Sequence, residues 1–132
     1  MTTAATSPIR VTAFAFTCYP VTDLARARAF YEGLFGLKAA TAWEGDGKGW
    51  IEYELGDGTL AITNSSGDQW PPSSSGPAIA FEVADFPATI AALKAAAVRF
   101  KVEPMDFPPC HLAVVFDPDG NQLAIHHKKS GV

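Results

Sequence analysis

Two stretches of the chain read as paired apolar runs folded about a turn. Val114 to His127, Val-Val-Phe-Asp-Pro-Asp-Gly-Asn-Gln-Leu-Ala-Ile-His-His, predicts a β-hairpin. Asp117-Pro118 opens its turn with φ preset by the proline, and Gly120-Asn121 tolerates φ > 0. Trp50 to Thr63 repeats the pattern more faintly around Gly56-Asp57-Gly58. Asp57-Gly58 precedes Asp119-Gly120 by about sixty positions, the spacing of a duplicated unit.

The rest of the pattern fills in two such units. Val11 to Pro20, rich in β-branched and aromatic residues, predicts a strand. Thr22 and Asp23 can cap a helix whose apolar face is Ala27, Phe30, Tyr31 and Leu34, and Gly36 stands where a left-handed C-terminal cap is wanted. A strand over Leu37–Trp43, a turn over Glu44–Gly49 and the hairpin Trp50–Asn64 follow. Ser65 to Pro77 is too rich in Ser, Pro and Gly for a regular element and predicts a connector. Its Trp70 is either an anchor to the surface or a ring for a ligand to stack on.

The second unit runs strand over Ala78–Val83, helix capped by Asp85 with Pro87 in its first turn, strand over Val98–Met105, and the hairpin His111–His127. Phe86, Ile90, Leu93 and Ala97 trace the helix's apolar face. Phe16 precedes Asp23 by the interval that separates Ala78 from Asp85, so the two units match in register as well as in order. The prediction is an α+β fold in one domain of two repeated βαβββ modules, 9–64 and 78–128, with a linker over 65–77.

Composition narrows the function classes. At 132 residues the chain can bury one core, and a net charge of −4 without a basic run argues against a nucleic-acid partner. No apolar run approaches a membrane span, and Met1 to Arg10 does not read as a secretory signal. Cys18 and Cys110 lack Cys-x-x-Cys spacing and read as small buried hydrophobes in a reduced, cytoplasmic protein.

Three segments together resemble the vicinal oxygen chelate superfamily of glyoxalases, bleomycin-resistance proteins and extradiol dioxygenases. They are Val21-Thr-Asp-Leu-Ala-Arg-Ala-Arg-Ala-Phe-Tyr31 with Leu34 and Gly36, Ile79-Ala-Phe-Glu-Val-Ala-Asp85, and Asp117-Pro-Asp-Gly-Asn121. The resemblance implies eight mostly antiparallel strands curled into a cup around a ligand, usually in a homodimer. It also implies one divalent ion held by four strands in the metal-dependent members. The positions matching the four ligands here are Phe16, Ala61, Ala78 and Ala124. None offers an O, N or S donor, so no metal is expected at the family's usual place.

Strand alternation sorts the two faces of each sheet. Ile79, Phe81, Val83, Leu123 and Ile125 belong to the core, with Ile51, Tyr53 and Leu55 in the first module. The cup face then carries Phe14, Phe16, Cys18, Trp50, Glu52, Glu54, Thr59, Ala61 and Thr63 from the first module, and Ala78, Ala80, Glu82, Gln122, Ala124 and His126 from the second. The candidate ligand-binding residues are Phe14, Phe16, Trp50, Glu52, Ala61, Ala78, Glu82, Ala124 and His126. Rings and carboxylates together suit a small organic molecule, a cation among those it would take. The glutamates could equally be solvated at an open rim. His126 is the one catalytic candidate, as a general base beside a carboxylate, with a hydrogen-bonded structural role as its alternative. With Glu52 or Glu82 it could also form a displaced divalent-metal site. His111 and His127 read as structural or exposed. The competing functions are therefore a metal-free binding protein, a lyase, isomerase or dioxygenase using displaced ligands or His126 chemistry, and a closed interaction module.

Overall fold

The computed structural model describes Pro8 and residues 10–130, so the predicted start of the first module at residue 9 lies outside the described residues. The strands are β1 (Thr17–Pro20), β2 (Ala39–Gly45), β3 (Lys48–Leu55), β4 (Gly58–Thr63), β5 (Ile79–Glu82), β6 (Phe100–Asp106), β7 (Cys110–Phe116) and β8 (Gln122–Lys128). The helices are α1 (Leu24–Arg28), running on into a π-helical turn over Ala29–Leu34, and α2 (Phe86–Ala95). The eight strands form two four-stranded sheets of matching topology, β1-β4-β3-β2 and β5-β8-β7-β6, each with one parallel pair at its β1 or β5 edge.

The capping chemistry is as the sequence implies. Asp23 Oδ1 accepts from the Arg26 N–H at 3.0 Å and Asp85 Oδ1 from the Ala88 N–H at 3.0 Å, each satisfying a helix-start donor. Gly36 takes φ +72° where the first helix ends, a conformation that costs a side-chain-bearing residue far more.

Several predicted boundaries shift by a residue or two, and Ala97 lies exposed past the end of α2 at φ +59° and not on its apolar face. Two shifts have a plain cause. The opening strand begins at Thr17, not Val11. Its parallel partner β4 emerges from the hairpin turn only at Gly58, and Thr17 already pairs with Leu60, so β4 has room for at most two residues before Thr17 and none for Val11 to Phe14. The turn expected over Glu44–Gly49 contracts to Asp46-Gly47, both with positive φ, and β2 and β3 zip up to Gly45 and Lys48.

The inward faces of both sheets share one core. Ile51, Tyr53, Leu60 and Ile62 of the first meet Phe81, Val115, Leu123 and Ile125 of the second, with Phe30, Tyr31, Phe86 and Leu93 supplied by the helices. The alternation that predicted these inward positions therefore held in both modules. Tyr19 ties the sheets together, its hydroxyl donating to the Gln122 carbonyl at 2.5 Å and accepting from the Ile79 N–H at 2.7 Å.

A buried polar clasp adds to this contact. Tyr31 OH donates to Asp117 Oδ2 at 2.8 Å, and Asn121 Nδ2 donates to that oxygen and to the Pro20 carbonyl. Asp117 Oδ1 accepts from the Asp119 and Asn121 N–H groups, closing the turn on itself. Burial first, and the Asp117 carboxylate second, hold the Tyr31 hydroxyl protonated far above the usual tyrosine range, so it remains a donor. Asp119 Oδ1 in turn accepts from Thr22 N, Thr22 Oγ1 and Arg26 Nη2 at the start of α1.

Candidate functional site

The face of the first sheet turned away from the core carries aromatic rings from β2, β3 and the segment before β1. Phe16, just before β1, meets Trp50 of β3 edge-to-face at 5.2 Å between centroids. Trp50 is the direct cross-strand partner of Trp43 on β2, which puts both indoles on one face. Trp43 is 59% exposed and Phe16 49%, so the ring surface is open. Trp50 Nε1 donates to Glu52 Oε2 at 2.8 Å, which aims that carboxylate along the rings.

Trp43 is absent from the sequence-derived candidates. Its signal lay in the hairpin: once Asp46-Gly47 is recognised as a two-residue turn, counting outward pairs Trp43 with Trp50.

The remaining candidates fall into place unevenly. Phe14 is 99% exposed and belongs to no strand; with Phe16 and Ala80 it lines a cavity of about 350 Å³ at the sheet edge. Ala61 sits between Cys18 and Glu52 in the register and is fully buried, so it lends the face no surface. Cys18 beside it is half-buried, and burial pushes its thiol up to about 11, which leaves it protonated and inert at neutral pH.

On the second sheet, Ala78 is exposed and precedes β5, while Ala124 is half-buried and pairs with Ala80. Glu82 and His126 are direct partners across β5 and β8, and Glu82 Oε1 shares a 2.5 Å hydrogen bond with His126 Nδ1. Glu82 Oε2 accepts from the Lys128 N–H at 2.7 Å. His127 Nδ1 lies 2.7 Å from the Val83 carbonyl, and the His111 ring stacks on Phe86. Among the described residues no hydrogen bond, ion pair or ring contact joins the Phe16–Trp50–Glu52 group to the Glu82–His126 group.

The Lys128 N–H first, and His126 second, hold the Glu82 carboxyl below the usual carboxylate range. A depressed folded value makes the contribution of Glu82 complete above the ordinary carboxylate pKa of about 4.3, and lost as pH falls through the lower folded value. The amide resonance of Lys128 should therefore show the Glu82 carboxylate step below the ordinary value of about 4.3. A midpoint above the ordinary carboxylate value would contradict the bond.

The family-implied metal meets a poor donor set. Phe16, Ala61, Ala78 and Ala124 contribute no ligating atom, and among the described residues no three His, Cys, Asp or Glu side chains converge to hold an ion. The residues present do not fit that group.

Residues 13–125 match the family model described as the glyoxalase/bleomycin resistance protein/dioxygenase superfamily. The chain belongs to this superfamily. Solved structures agree on the fold. An antibiotic binding protein, TnmS3, from Streptomyces sp. CB03234 superposes with a TM-score of 0.72 at 22% identity, over 92% of this chain and 99% of that one. A lactoylglutathione lyase from Agrobacterium tumefaciens gives 0.69 at 17% identity, over 89% and 95%. The fosfomycin resistance protein FosX from Listeria monocytogenes gives 0.70 at 14% identity, over 92% and 97%. No curated protein matches the chain in sequence. Among its described residues this superfamily member has no helix long and apolar enough to cross a membrane.

Proposed function

We propose that this superfamily member binds a small, planar organic molecule on the ring-lined face of its first sheet, without a metal at the family's usual position and without transforming it. The row Phe16, Trp50 and Trp43 carries the reading. Open indole faces gain most by stacking on a flat ligand, and Glu52, steered by Trp50, favours a ligand with a cationic or hydrogen-bond-donating group. TnmS3, an antibiotic binding protein of the same fold, supports a binding role.

The same exposure favours a homodimer. Phe14 and Trp43 are too apolar to stand in water at little cost, and a second copy packed over the open face would turn it into an enclosed site. Two unpaired thiols, Cys18 and Cys110, suit a reducing, cytoplasmic setting.

A thermal-shift series tests the binding reading, because a ligand that binds only the native state raises stability by mass action. Planar cationic heterocycles should raise Tm, neutral analogues less, and Trp50→Ala should abolish the shift. Equal shifts in wild type and Trp50→Ala would exclude the ring-lined face.

A second reading rests on the 2.5 Å Glu82–His126 contact, which has the geometry of a base oriented by a carboxylate. On that reading the chain is a lyase, isomerase or dioxygenase, acting through His126 or through a divalent ion displaced to this pair. His126→Ala would then abolish turnover while leaving affinity intact, whereas the binding reading predicts no turnover to lose.

A further inference from the structure

The two halves of the chain are not equally closed where they meet. On one side, the turn before β8 is clamped to the first helix through Tyr31–Asp117, Asn121–Pro20 and the contacts of Thr22 and Arg26 with Asp119. When Asp23 is laid on Asp85, the places of Thr22, Arg26 and Tyr31 are taken by Ala84, Ala88 and Leu93. The turn opposite them is the short Gly56-Asp57, so no such clasp forms.

The space stays open. A cavity of about 550 Å³ lies among Leu37, Leu55 and Phe81, and one of about 310 Å³ lies against Ala88 and Ala92 of α2. The two share Phe35 and Val83, and Phe35 meets Phe81 edge-to-face at 5.4 Å. Volumes of this size match small-molecule sites. Of the two acidic residues that line them, Glu82 has both carboxylate oxygens engaged by His126 Nδ1 and the Lys128 N–H, so the carboxylate available to a ligand is that of Asp85. Asp85 commits one carboxylate oxygen to the Ala88 N–H and leaves the other free.

We infer that this groove is a second ligand site, separate from the ring-lined face, and that it takes an amphiphilic cation. The apolar chain or ring lies along Phe35, Leu37 and Phe81, and the positive head sits at Asp85. Each buried methylene of the tail favours binding. Asp85 selects the sign of the head, since an anionic head on the same tail meets like charge. The inference does not rest on the proposed function.

Calorimetric titration with decyltrimethylammonium and with decyl sulfate, both below their micelle concentrations, tests it. The cation should bind saturably and at least about tenfold tighter than the sulfate. Ala92→Phe fills the groove from the exposed side of α2, outside the core, and should weaken the cation about tenfold; Ala88→Leu on the same wall should act alike. Trp43→Ala separates this groove from the ring-lined face and should leave the cation's affinity in place. Equal affinity for the two heads, an absence of saturable binding, or binding that both α2 variants leave unchanged would overturn the assignment. So would loss of binding in Trp43→Ala alone.

Discussion

Asp117→Ala should unfold the chain more readily than any other single change in the turn before β8, lowering stability by about 4 kcal/mol. Asp117 is 3% exposed, and its two oxygens accept from Tyr31 OH, Asn121 Nδ2 and the N–H groups of Asp119 and Asn121. Alanine leaves the Tyr31 hydroxyl and the Asn121 N–H buried without an acceptor, and each such orphan costs about 1–3 kcal/mol. Against a total stability of about 5–15 kcal/mol, the loss would be conspicuous in urea unfolding. Tyr31→Phe removes one donor and keeps the turn closed, so its cost should be about 1–2 kcal/mol. An Asp117→Ala protein within about 1 kcal/mol of wild type would show that the clasp contributes little beyond geometry.

Gly49→Ala should combine a stability loss with a loss of ligand affinity. A Cβ at position 49 would stand 2.5 Å from Leu24 Cδ2, 2.9 Å from Glu44 Cγ and 2.9 Å from the Trp43 carbonyl oxygen. Leu24 is buried in the core, and the Trp43 carbonyl belongs to the backbone, so the strain cannot be relieved by one flexible side chain. Overpacking of this kind costs about 2 kcal/mol. The strand that must shift is β2, which presents Trp43, and the variant should therefore also weaken ligands on the ring-lined face. Gly45→Ala is the matched control: its nearest contact is the Trp43 ring at 3.6 Å, an ordinary van der Waals distance. Denaturation midpoints for the pair should separate clearly, with Gly45→Ala close to wild type. Similar midpoints would mean that the hairpin absorbs the extra carbon freely.

The sequence made visible what depends on local chemistry and period. Asp23 and Asp85 announced the helix starts, the Asp-Gly turns announced the hairpins, and period-two alternation separated Ile51, Tyr53, Leu123 and Ile125 from the outward face. The matched spacing of these signals made the duplication and the family legible. What stayed hidden depends on register or on contacts between residues far apart in the chain. Trp43 was invisible as a partner of Trp50 until the turn at Asp46-Gly47 fixed the pairing. The Tyr31–Asp117 bond joins residues 86 positions apart, and no local pattern announces it. Alternation places Ala61 on the cup face but says nothing of its exposure; the residue is small, central in its sheet and fully buried.

Binding on the ring-lined face without a metal at the family's usual position is tested most directly by one calorimetric titration. A planar cationic heterocycle such as proflavine is titrated into chelator-treated protein, then into the same protein resupplied with Zn²⁺, Mn²⁺, Ni²⁺ or Fe²⁺ under reducing conditions. The account predicts saturable binding of equal affinity in every case. Binding that appears only when a metal is restored would contradict it, and would move the site to Glu82 and His126.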